Sequence, residues 1–197
     1  MYIIIVIAQF VALLTPTLLA TLLSEQAMRK RKFKTNRAVQ FLVMSVITAA
    51  LYAVGGMSMW TVKGIVFALI LLYASVQDIS THEADEFLWV MLLILALVNI
   101  GEVGIVSVIF DGLVVFVPQM AIVMFAKKGG IGGADIKIST AAALSLGFYG
   151  GVIGYMIGLV LAIVFQTIYN KVKKQSNQKP FPLLPFLSTG LVIGYFI

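Results

Sequence analysis

The sequence predicts an all-α integral membrane protein of about eight transmembrane helices, packed as a polytopic bundle. Three observations carry this. Long apolar runs alternate with short polar spacers, the charged fraction is 11% where a soluble domain carries about 25%, and the cations collect on alternate spacers. The chain has 197 residues, 61% of them hydrophobic, and we read it as a single transmembrane domain over 1–197.

The first run, from Tyr2 to Leu23, reaches the roughly 20 residues that a helix needs to cross a bilayer core. No basic segment precedes it, and six cations follow between Arg29 and Arg37. This is the pattern of a retained helix with its N-terminus outside, not of a cleaved leader. Further runs cover about 39–57, 60–76, 87–100, 105–126, 138–148, 152–169 and 183–197. Gly55-Gly56 and Gly101 to Gly104 mark turns between them. The runs after residues 86 and 137 are short for a span, which predicts helices that begin below a water-accessible cleft or a locally thin bilayer. The small residues from Ser139 to Ser145 predict close packing against neighbouring helices.

Threading the runs from an outside N-terminus places the spacers 24–38, 78–86, 127–137 and 170–182 on one side. They hold thirteen of the fourteen Lys and Arg residues. Cytoplasmic loops carry this excess, so those spacers, with the short basic loop 24–38, are expected in the cytoplasm of a plasma-membrane protein, and both termini outside. The exception, Lys63, is expected to snorkel near an outer helix end. The net charge of +6 and the basic loop are topogenic features beside anionic lipid, and no nucleic-acid partner is expected. With no cysteine and one histidine, His82, no metal site and no cofactor is expected.

Two spacers carry chemistry. The loop 78–86 holds Asp78, Glu83, Asp85 and Glu86, half of the eight acids in the chain. The stretch 127–137 places Asp135 after four glycines, and it lacks the Gly-Lys-Ser/Thr ending of a nucleotide-binding loop. Two carboxylates brought close in a partly desolvated site do not both ionise, which suits an aspartyl hydrolase. Singly, each acid also has a structural reading: Asp135 as an N-cap before a helix, Asp78 as a solvated loop acid. Asp85 and Glu86 read as first-turn acids favoured by the helix dipole. Asp111 falls inside an apolar run and reads as a snorkelling or helix-packing residue, with a third functional acid as its alternative.

The segment Gly132-Gly133-Ala134-Asp135-Ile136-Lys137 resembles the second catalytic motif of the type IV prepilin peptidases, membrane aspartyl proteases of the GxGD type. Asp78-Ile79, at the end of an apolar run, resembles their first aspartate. Pro182-Leu183-Leu184-Pro185-Phe186-Leu187 is similar to the element that opens their last helix. The resemblance implies Asp78 and Asp135 as the catalytic pair, shaped by Gly132, Gly133, Ala134, Lys137, Pro182 and Pro185. It also implies cleavage of the basic leader of prepilins or pseudopilins at the cytoplasmic membrane face. Two positions depart from the family pattern: Ala134 stands for the usual glycine, and Ala84-Asp85 for Ile-Pro. Larger members methylate the new N-terminus with a cytoplasmic insert, whereas the spacer Ser24 to Ala38 has 15 residues and no cysteine. A stand-alone peptidase is therefore expected. The competing class is a small proton- or cation-coupled transporter, with Asp111 as its only support.

Overall fold

The computed structural model describes residues 22, 36–125, 132–173 and 181–197, and the expected first run lies outside these apart from Leu22. Seven helices follow from residue 36: α1 (Arg37–Gly55), α2 (Met59–Thr81), α3 (Glu86–Val103), α4 (Ile105–Phe125), α5 (Gly133–Leu146), α6 (Phe148–Lys173) and α7 (Leu184–Gly194). Among the described residues there is no strand.

Local chemistry sets the boundaries. Asn36 Oδ1 accepts the Ala38 N–H at 3.1 Å to start α1, and Ser58 Oγ accepts the Thr61 N–H at 3.3 Å to start α2. Gly104 (φ 83°) and Gly147 (φ 80°) separate α3 from α4 and α5 from α6 by backbone angles that a side chain would strain. Pro185 falls in the first turn of α7, where its missing N–H costs nothing.

Four helices are long and apolar enough to cross a membrane, over Ala38–Gly55, Met59–Thr81, Ile105–Phe125 and Phe148–Val172. Their outward faces expose apolar side chains such as Val106, Ile109, Ile163 and Phe165, as lipid-facing surfaces do. The protein is an all-α, multi-pass membrane protein. Among the described residues four helices, and not eight, are long enough to span: α5 and α7, with 14 and 11 residues, fall short of a bilayer core. The loop boundaries also shift. α2 continues through Asp78 to Thr81, and α5 starts at Gly133, so both aspartates lie on helices and the expected loops 78–86 and 127–137 are shorter at the acids.

The core gathers around α2, with Phe67, Leu71 and Ala74 buried against Leu88 and Leu92 of α3 and Leu187 and Leu191 of α7. In α5, Ser139, Ala142, Ala143 and Ser145 are fully buried, the close packing that their size predicts. The tightest seam joins α6 to α7. A Cβ on Gly190 would lie 2.3 Å from the Gly154 carbonyl oxygen, and one on Gly194 would lie 2.2 Å from that of Gly150. Only glycine lets these backbones meet. The seam fixes where α7 starts, and that start matters for the site.

Candidate active site

Asp78 occupies the last turn of α2. Its Oδ2 accepts the backbone N–H of Leu184, the first residue of α7, at 2.9 Å. A helix N-terminus carries unpaired N–H groups and a partial positive charge, so this contact offsets part of the cost of burying the carboxyl group. α2 and α7 run antiparallel, because Tyr195 at the end of α7 donates its hydroxyl to the Trp60 carbonyl near the start of α2 at 2.6 Å.

Asp135 sits in the first turn of α5, and Gly132 takes the N-cap position. The Asp135 Oδ2 accepts the Gly132 N–H at 3.2 Å, one half of a capping box whose other half glycine cannot supply. The aspartate is thus a first-turn acid instead of the cap itself. Burial, and next the neighbouring Asp78 carboxylate, push Asp135 up to about 7, against the smaller opposing effect of the Gly132 N–H.

Both carboxylates line one cavity of about 330 Å³. His82, Glu83 and Ala84 form one wall, and Gly132, Gly133 and Ala134 form another. His82 closes α2 in the left-handed conformation (φ 55°) with its N–H on the Asp78 carbonyl at 2.9 Å. Glycine is the usual residue there, and the conformation costs histidine about 1 kcal/mol. Ala134 lies in α5 and needs no positive φ, so its departure from glycine does not disturb the turn.

The remaining expected site residues lie elsewhere. Lys137 turns away to pair with Glu86 at 2.7 Å, with both side chains largely exposed. Glu86 is correspondingly held below the usual carboxylate range by that hydrogen bond. Pro182 and Pro185 flank Leu184 in sequence and do not line the cavity. Asp111 is buried, and its carboxylate faces the backbone of Phe148, the first residue of α6, at that helix's N-terminus. Lys63 donates to the Ser145 carbonyl at 2.7 Å, near the C-terminal end of α5, instead of reaching for headgroups.

Several neighbours of the aspartates escaped the sequence reading. Leu184 contributes a backbone N–H, which has no side-chain signature. Tyr155 of α6 is buried and close enough to Asp135 for the two to interact electrostatically. Ser139 Oγ lies 2.6 Å from the Asp135 carbonyl and 3.0 Å from Oε1 of the fully buried Gln119 on α4, tying α5 to its neighbour. Gln77, also buried, directly follows the apolar run 60–76. The polar residues at 77, 119 and 139 were the available signal, since a polar group among apolar neighbours needs a partner.

Among the described residues no cluster of His, Cys, Asp and Glu has the makings of a metal site. A model of the type IV leader peptidase family matches residues 65–169, more than half of the chain and a segment that contains both Asp78 and Asp135. Comparisons with curated proteins and with solved structures returned no match.

Proposed function

Because the chain belongs to the type IV leader peptidase family, we propose that it is an aspartic endopeptidase in which Asp78 and Asp135 act as the catalytic pair. One observation carries the reading: two carboxylates line one cavity with unequal environments, Asp78 facing a helix N-terminus and Asp135 raised to about 7. In this mechanism Asp78 takes a proton from a water as it attacks the scissile carbonyl. Protonated Asp135 donates a hydrogen bond to the oxygen that becomes negative. The proton gained by Asp78 then serves the leaving amine, and the pair returns to its starting state.

The substrate in this proposal is the leader of a prepilin or pseudopilin-like protein, cut at the cytoplasmic face of the plasma membrane. Support for that face comes from the cations that crowd the same side as the aspartates. We further propose that the chain does not methylate its product, since the 15-residue spacer is far below the roughly 50 residues of a small domain. The transporter alternative rests on Asp111 alone, and that acid faces the N-terminus of α6 and does not line the cavity.

The test is incubation of the purified protein with prepilin-like substrates in the presence of S-adenosylmethionine, followed by mass spectrometry. Loss of the leader mass without an added methyl group is expected. No cleavage of any prepilin-like substrate would remove the proposal, and a methylated product would remove its second part.

A further inference from the structure

The cavity wall at His82, Glu83 and Ala84 belongs to a four-residue strap, 82–85, that joins α2 to α3 outside either helix. Fixing such a segment costs about 1–2 kcal/mol per residue in backbone entropy, so something must hold it. Its first end is held by Thr81, whose hydroxyl lies 3.1 Å from the Glu83 carbonyl and 3.3 Å from the Glu83 N–H. Its far end is held by Gln77, only 2% exposed and one residue before Asp78. The Gln77 Oε1 accepts the Asp85 N–H at 3.1 Å, while its Nε2 donates to the Asp85 carboxylate. Both ends of the amide are engaged by one residue, a geometry that neither a hydrocarbon nor a carboxylate of the same shape reproduces.

We propose that Gln77 is a positioning residue, which clamps the strap as the wall against which an extended segment of the protein substrate lies beside the two aspartates. This rests on the peptidase reading above. Gln77 touches neither cavity nor substrate, and its effect reaches the reaction through Asp85 and the strap. Because the clamp pairs two donors with two acceptors, one pair on the side chains alone, it can be broken and rebuilt by exchanging carboxylate and amide. Gln77→Glu sets two carboxylates against each other and frees the strap. Adding Asp85→Asn lets the new amide at 85 donate to the new carboxylate at 77, which still accepts the N–H of residue 85. Both variants place a carboxylate at residue 77 beside Asp78, so restoration by the second substitution separates the clamp from the effect of that neighbouring carboxylate, while the pair as a whole returns to its wild-type charge.

The chain contains no cysteine, so a single Glu83→Cys substitution gives a unique site for a spin label that reports strap order without relying on activity. In parallel, kcat and KM are measured on proteins without the label. For Gln77→Glu the label is expected to become mobile and KM to rise about tenfold, with kcat within about threefold, as befits lost substrate positioning. The double variant is expected to restore both. A label that stays immobile in Gln77→Glu overturns the clamp. A mobile label with unchanged KM overturns the substrate role, and so does a double variant that regains order but not KM. A wild-type protein inert on prepilin-like substrates would instead bring down the peptidase reading and the substrate role together, while label mobility would still decide the clamp.

Discussion

The two ends of the helical bundle use charged residues in opposite ways. At the end where α2 begins and α5 finishes, Lys63 binds the Ser145 carbonyl and Asp111 faces the N-terminus of α6 at Phe148. Each charge there faces the terminus of another helix. At the opposite end, Asp78 and Asp135 also touch helix N-termini, through Leu184 and Gly132, yet both open onto a shared cavity. A buried acid in an apolar helix is therefore no sign of chemistry by itself. What separates the two cases is a second acid nearby and a space between them.

Removing the acids one at a time tests this contrast most severely. Asp78→Asn and Asp135→Asn are each expected to lower cleavage by about 10³-fold or more, since each acid has its own proton role, while detergent-solubilised protein remains folded by circular dichroism. Near-normal turnover in either variant would collapse the distinction between the ends.

The next effect comes from the glycine seam. Gly190→Ala pushes a methyl group against the backbone of Gly154 and Gly158, with no flexible side chain to yield. A loss of about 3 kcal/mol in unfolding free energy is expected. Because the start of α7 carries the Leu184 N–H, cleavage should fall as well. A stable, fully active Gly190→Ala protein would mean that the seam does not locate Asp78.

A pH series sharpens the inequality between the aspartates. If protonated Asp135 is the working form, turnover should fall about tenfold per unit as pH rises beyond about 7. The stability sign follows from the same shift. The folded state binds the Asp135 proton more tightly than the unfolded chain, so stability from this group is present at low pH and is lost as pH climbs through about 7. Asp135→Asn, though inactive, should lose less thermal stability than wild type between pH 5 and pH 8.

At the other end, Asp111→Ala should cost about 1 kcal/mol of stability by removing the carboxylate that faces the N-terminus of α6, with cleavage kept. A selective loss of cleavage would make Asp111 a functional acid after all. The smallest effect is expected on the surface. The Lys137–Glu86 pair has side chains 49% and 74% exposed, and solvent screens such pairs almost completely. Lys137→Met should therefore change the melting temperature little, and a large drop in turnover would bring Lys137 back into the site.

The residues alone determined that this is a helical membrane protein, because apolar runs interrupted by cations are dictated by the cost of placing charge and bare backbone in lipid. They also singled out Asp78 and Asp135, since an acid beside an apolar run stands out whatever its partner. Composition and spacing did not show which acids share a cavity; only the motif resemblance paired them. Asp78 and Asp135 are 57 positions apart, and their meeting depends on the antiparallel packing of α2 with α7 and on the start of α5 at Gly133. The sequence reading ended α2 too early at Asp78, because polarity rises there. The helix nevertheless continues to Thr81, since Ser80 and Thr81 bond back to the Val76 and Gln77 carbonyls. Lys63 and Asp111 resembled each other as isolated charges in apolar runs, and only tertiary packing showed each one facing the end of another helix. The hydrogen bond from Leu184 to Asp78 lies furthest from the sequence. Every residue but proline carries a backbone N–H, so its role follows from position, and position here is decided where glycines let α6 and α7 come into backbone contact.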